Sequence, residues 1–225
     1  MDIRISHNAS INTLILDFDG VIVESIALKT EAFREVFSFV PDHVDEIVEF
    51  HQRNGGMSRF EKFRYIYEHM LHEELTGEQS ARLGEEFSAY VFDAMLRVPF
   101  VDGACALLDE FYQKIPLYVV SATPEEEIRE IVRHRKIDRF FAGVYGSPRP
   151  KADCIRDILE EHGTAPEHAV FIGDAPNDWE AAQATGVRFI ARVMPGDENR
   201  FEGLPGVEAI VRDLHEAREY MEEHG

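Results

Sequence analysis

Residues 17–20, Asp-Phe-Asp-Gly, follow directly on the apolar run Leu14, Ile15, Leu16. A short continuous apolar run closed by a turn signal reads as a strand covered on both faces. Two carboxylates at its end are costly to bury unless something cationic neutralises them. Asp17 and Asp19 stand two apart, so on extended chain their side chains share one face. Gly20 lets the backbone turn immediately afterwards. Hard oxygen donors gathered this way fit a divalent cation together with an anionic substrate. Asp-Gly is also ordinary turn chemistry, so the rest of the chain has to decide.

Three more stretches put polar groups behind an apolar run. Residues 117–121 (LYVVS) end in Ser121, with Ala122, Thr123 and Pro124 after it. Residues 146–151 (GSPRPK) supply Arg149 and Lys151, and residues 170–174 (VFIGD) end in Asp174, with Asp178 at the start of the next helix. In an open α/β sheet, ligands bind beyond the carboxyl ends of the strands. Singly, Ser121 reads as a strand-end cap and Lys151 as an exposed helix start. Core packing gives no reason for all of them to gather at one sheet edge.

The elements that must carry these residues fall into two kinds. From Ala27 the apolar positions Phe33, Val36, Phe37 and Val40 recur at helical spacing until Pro41. Val44, Ile47 and Val48 mark a second helix, closed by Asn54, Gly55 and Gly56. Ser58 with Glu61, and Thr76 with Gln79, are capping boxes that open a third and a fourth helix. Four amphipathic helices with short links predict a small antiparallel bundle. The segment after Gly20, residues 21–25 (VIVES), reads as a hairpin-like flap. From residue 104 onward, strand-like and helix-like segments alternate, which predicts a parallel, doubly wound sheet with helices on both faces. The expected fold is therefore α/β, a Rossmann-like core over 1–24 and 99–225 with a four-helix-bundle cap inserted over 25–98.

Net charge is −20, from 43 acidic and 23 basic residues. That argues against a nucleic-acid backbone or an anionic membrane as main partner, and it obliges any anionic substrate to find a local positive centre. A divalent metal at Asp17 and Asp19 would provide one. No apolar run approaches the roughly 20 residues that span a bilayer. Residues 1–10 lack the basic flank and apolar core of a signal peptide, so a cytoplasmic monomer or homodimer is expected. The two cysteines, Cys105 and Cys154, read as buried free thiols.

Taken together, Asp-x-Asp-Gly at 17–20, a strand ending in Ser121, Lys151 before a helix, and Gly-Asp-x-x-x-Asp at 173–178 resemble the haloacid dehalogenase-like superfamily of phosphatases and phosphomutases. The helical insertion resembles the cap of the subgroup that includes phosphoglycolate phosphatase and β-phosphoglucomutase. The resemblance implies that Asp17 attacks phosphorus to form an aspartyl-phosphate. Asp19 would protonate the leaving oxygen and later deprotonate water. It implies Mg²⁺ on Asp17, the backbone carbonyl of Asp19, and Asp174, with Asp178 orienting the metal's water or holding Lys151. Ser121 and Lys151 would hydrogen-bond the phosphoryl group, with Gly20, Ala122 and Thr123 lining its cradle. Many relatives carry Lys-Pro where this chain has Arg149-Pro150, so Arg149 competes with Lys151 for the cationic role.

Residues 54–59 (NGGMSR) are the part of the cap expected to face the core. Gly56, Ser58 and Arg59 resemble the specificity loop of β-phosphoglucomutase, which implies that Arg59 holds a second anionic group. Two departures weaken the mutase reading: Pro124 replaces a lysine that binds the distal phosphate, and Lys29 replaces a relaying histidine. The expectation is a phosphatase for a small anionic phosphoester, with Lys29 on its substrate side. A phosphomutase or a phosphonate hydrolase, the latter needing Lys29 or Lys62 as a cap amine, is the alternative. A dehalogenase has no use for Asp19, and a non-catalytic binding protein has no need of every motif. His69 with His72 and Trp179 read as helix surface and packing.

Overall fold

A computed structural model describes residues 10–224. The opening of the expected core segment, 1–9, and most of the stretch read for a leader lie outside the described residues. The centre of the molecule is β1 (Thr13–Leu16), every residue of which is buried. It pairs in parallel with β2 (Leu117–Pro124) on one side and β4 (Ala169–Gly173) on the other. With β3 (Gly143–Ser147), β5 (Arg188–Arg192) and β6 (Val207–Val211), they make a six-stranded parallel sheet in the order β3-β2-β1-β4-β5-β6.

Alternation along the strands divides two cores. Leu14 and Leu16 join Val119, Ile172 and Ile190 on one face, while Ile15 joins Tyr118, Val120, Phe171 and Phe189 on the other. Helices cover both: α5 (Ala104–Phe111) and α9 (Leu214–His224) pack together, as do α7 (Lys151–His162) and α8 (Pro176–Thr185), and α6 (Glu125–His134) lies against β2 and β3. Parallel strands with continuous apolar sequence need this double cover, so the expected α/β, Rossmann-like arrangement is what the chain adopts.

Between β1 and α5 the chain is helical. α1 (Ile26–Val36) packs on α2 (Val44–Arg53) and α4 (Gly77–Met95), and α3 (Arg59–Tyr65) packs on α4. Both capping boxes form, at Ser58/Glu61 and Thr76/Gln79. α3 continues into a π-helical turn, Ile66–Leu71, that His72 ends in the left-handed region. Phe33, Phe37, Phe63 and Phe87 interlock among these helices and are continuous with the sheet core.

Two expectations fail. Residues 21–25 are a buried turn and not a flap: Val21, Ile22 and Val23 are fully buried, and the Gly20 and Val23 amides close on Val23 and Phe18 carbonyls. Three branched apolar side chains gain more from the core than a mobile flap could offer. Cys105 is exposed, and only Cys154 is buried. Among the described residues no helix is long and apolar enough to cross a membrane.

Candidate active site

The carboxyl ends of β1 and β4 lie side by side in the sheet, with Leu16 in register with Ile172. Asp17 therefore leaves β1 next to Asp174 leaving β4, and the first turn of α8 adds Asp178. Oxygens of these three carboxylates lie within 4.8 Å of one another. Lys151, in the first turn of α7, reaches between them: its Nζ is 2.8 Å from Asp17 Oδ2 and 2.5 Å from Asp178 Oδ1. The other oxygen of Asp178 accepts from the Asp174 and Ala175 amides, at 3.2 and 3.1 Å, which fixes the turn that presents Asp174. Asp17 Oδ1 accepts the Phe18 amide at 2.6 Å. Gly20 has φ +74°, and a Cβ there would fall 2.2 Å from Asp174 Oδ2, so the turn after Asp19 requires glycine twice over.

Burial pushes the Asp17 carboxyl up, and with Lys151 pulling it back and Asp178 and Asp19 repelling, it stands at about 7. Asp174 is raised well above the ordinary range, by burial first and by Asp17 and Asp178 next. Burial works against the Lys151 charge, yet the carboxylates of Asp17 and Asp178 more than restore it, so its pKa is raised. One ammonium among three clustered acids leaves negative charge unmatched. The donor set, all carboxylate oxygen, suits a hard divalent cation.

Asp19 is held apart from this cluster. It accepts from Ser25 Oγ (2.6 Å), Lys29 Nζ (2.5 Å) and Thr123 Oγ1 (3.1 Å). Burial would raise its carboxyl, but the Lys29 ammonium and these hydrogen bonds outweigh burial and bring it below the ordinary range. Lys29 Nζ also donates to Thr123 Oγ1 at 2.9 Å. Two carboxylates two residues apart thus sit in opposite environments. They share a cleft of about 70 Å³ that Lys29, His51, Gly56, Arg59, Lys62, Ala122 and Thr123 also line. A wider cavity of about 570 Å³ adjoins it at Ile26, Gln52, Gly55 and Asp174.

The family model of the haloacid dehalogenase-like hydrolases matches residues 14–192, from β1 through β5. The chain belongs to the haloacid dehalogenase-like hydrolases. A 5'-nucleotidase of Pseudomonas aeruginosa is 39% identical over 79 residues, which are 33% of this chain and only 36% of that protein. A phosphoglycolate phosphatase of Mannheimia succiniciproducens is 26% identical over 191 residues, covering 80% of this chain and 84% of the relative. The fold is shared with a β-phosphoglucomutase of Clostridium difficile at a TM-score of 0.75 and 20% identity, over 95% of this chain and 96% of that one.

In this haloacid dehalogenase-like hydrolase, the expected residues stand in different relations to the cleft. Arg149 is not brought to the cluster; it is exposed and pairs with Asp157 of α7, while Lys151, two residues later at the start of α7, turns inward to Asp17 and Asp178. Ser121 is buried, and its hydroxyl accepts the Thr123 amide at 3.1 Å. Ser58 commits its hydroxyl to the capping box at Glu61. Arg59 lines the cleft, but its charge is already matched: Glu127 of α6 takes both its terminal nitrogens at 3.1 and 2.6 Å, Ser88 accepts at 2.7 Å, and Phe87 lies 4.3 Å beneath the guanidinium. Gly56 meets the core as expected, its carbonyl accepting from Asn177; a Cβ there would fall 1.6 Å from the Asn177 amide oxygen. Lys62, named from the sequence as a cap amine for the phosphonate alternative, lines the cleft, while Asn177, Glu127, Ser88 and His51 are site neighbours that sequence reasoning did not place. Only Asn177, inside the Gly-Asp-x-x-x-Asp motif, carried a local signal.

Proposed function

We propose that this hydrolase is a phosphatase that releases phosphate from a small phosphorylated metabolite through an aspartyl-phosphate on Asp17. The observation that carries the reading is the division of labour between the two acids. Asp17 shares a cluster with Lys151, Asp174 and Asp178, while Asp19 hangs from Lys29, Ser25 and Thr123. Relatives named as phosphatases over four-fifths of the chain support it.

An Asp17 oxygen forms a bond to phosphorus as the ester P–O bond breaks, and Asp19 gives its proton to the departing oxygen. A water oxygen then attacks phosphorus, Asp19 takes the proton, and phosphate leaves Asp17 as a carboxylate. Asp19 rests ionised, ready for the second half. A phosphoryl group entering beside Lys29 competes for that ammonium, which lifts Asp19 towards the protonated form that the first half needs. Lys151 holds Asp17 in place and can face the transferring oxygens. Asp17, Asp174 and Asp178, with the Asp19 carbonyl, would hold Mg²⁺, which when bound would neutralise the cluster and withdraw charge from the phosphoryl oxygens. The helices α1–α4, taken as a cap over 25–98, close the cleft from water. Because Glu127 already holds Arg59, this residue is not free to grip a second phosphate as a mutase would need, and hydrolysis is favoured over transfer.

A phosphate-release screen over small phosphoesters, with and without Mg²⁺, tests this. Turnover that depends on Mg²⁺ and vanishes in Asp17→Asn is expected. Undiminished turnover in that variant would refute the nucleophile, and indifference to a chelator would refute the metal.

A further inference from the structure

Lys62 is buried in α3, only 2% exposed, yet among the described residues no carboxylate pairs with it. Its Nζ meets His51 Nδ1 at 3.0 Å, the His51 carbonyl at 3.3 Å, and the Phe33 ring with its centroid at 5.4 Å. Other buried cations of the chain do face carboxylates: Lys151 with Asp17, Arg59 with Glu127, Arg192 with Glu24. An ammonium taken from water without a counter-ion is expensive, so a buried lysine so placed carries its charge most readily when an anion comes to it. Its place opens on the substrate cleft, since Lys62 and His51 line the same small space as Asp17 and Asp19.

The groups facing Lys62 from neighbouring elements sharpen this. Lys29 of α1 repels it, Asp19 at the end of β1 attracts it weakly, and His51 of α2 is driven down to about 2, by burial first, so it stands neutral and can only assist. Burial first, then Lys29, lowers the Lys62 amine to about 7, which leaves it able to gain charge when an anion arrives. The cleft itself is small, about 70 Å³, and opens on the wider cavity at Ile26, Gln52, Gly55 and Asp174.

We propose that Lys62, backed by His51, binds a carboxylate on the leaving-group side of the substrate, so that the preferred substrates are small phosphoesters that carry a carboxylate. The assignment rests on the phosphatase reading and names the substrate class for that same site. It gives Lys62 a substrate-binding role and Arg59 none.

The test uses a matched pair of short phosphoesters, one ending in a carboxylate and the other in the corresponding amide, with Mg²⁺ present. Wild type should prefer the acid. Lys62→Met and Lys62→Gln should lose about tenfold or more in kcat/KM on the acid, and about twofold or less on the amide, as expected for removal of one charge-assisted contact. In wild type the acid-to-amide ratio should fall as pH rises through about 7, while both variants give a flat profile. Equal losses on both esters, or a flat ratio in wild type, would overturn the assignment. A second measurement needs no variant: the dephosphorylated acid should inhibit wild type more strongly than its amide, and equal inhibition would overturn it too. If wild type hydrolyses neither ester nor any other in the screen, the phosphatase reading itself falls and the assignment goes with it.

Discussion

Two buried lysines, one beneath the acids at the sheet edge and one in the helical wall of the cleft, are treated in opposite ways. Lys151, at the sheet edge, lies between the carboxylates of Asp17 and Asp178, and its pKa is raised. Lys62, in the helical wall, lies against an imidazole and a phenyl ring, and its pKa is lowered to about 7. The same side chain, buried in both places, is thus either a permanent charge or a conditional one, depending on what faces it. The sheet edge is organised to hold a fixed charge pattern, suited to chemistry common to every phosphoester. The helical wall keeps an unmet need, suited to telling one ester from another.

The largest way to break this contrast is at the sheet edge. Asp17→Asn should reduce kcat by about a thousandfold or more while circular dichroism is unchanged, because removing a nucleophile abolishes the covalent route. Lys151→Met should also be severe. It leaves Asp17 and Asp178 facing each other without their counter-ion, and breaking a buried pair costs about 3–5 kcal/mol. Denaturant titration would show that loss; a midpoint within experimental error of wild type would mean that the three charges are not coupled as their distances imply.

In the wall, Arg59 and Glu127 form a clasp between α3 and α6. Arg59→Ala should destabilise by about 3 kcal/mol, with the Arg59→Ala/Glu127→Ala double variant losing clearly less than the summed single losses. KM should shift alike for acidic and neutral esters, and a selective rise on acidic ones would return Arg59 to the substrate. The remaining expected effect, at Lys62, is a pH dependence of stability. Its folded value of about 7 lies below its ordinary 10.5, so between those limits the unfolded chain binds more protons than the folded one, and stability rises with pH. Wild type should therefore gain stability relative to Lys62→Met as pH goes from 7 to about 10. A constant difference over that range would show that the amine keeps its charge throughout.

Much of the architecture was legible because its signals are local. The continuous apolar runs gave the parallel strands, and Ser58 with Glu61 and Thr76 with Gln79 marked helix starts where the capping boxes now lie. Register between β1 and β4 then brings Asp17 to Asp174, so residues 157 apart meet for a reason the strand pattern contains. What was not legible depends on pairings that no period encodes. Arg59 and Glu127 each look like a solvated helix residue, and only the docking of α3 against α6 makes them a buried pair. Lys62 was a candidate cap amine, but nothing in the sequence marked His51, on a separate helix, as its partner. Arg149 and Lys151 differ by two positions, but Arg149 stands outside α7 on the surface while Lys151 opens the helix against Asp17 and Asp178, a difference no sequence pattern marks.

The central claim, that Asp17 carries the phosphoryl group, can be tested by quenching wild type during steady-state turnover with borohydride, which reduces an acyl phosphate to an alcohol. Peptide mass spectrometry should then find homoserine at position 17, absent without substrate. Reduction at a different carboxylate, or an unmodified Asp17 under conditions of rapid turnover, would contradict it.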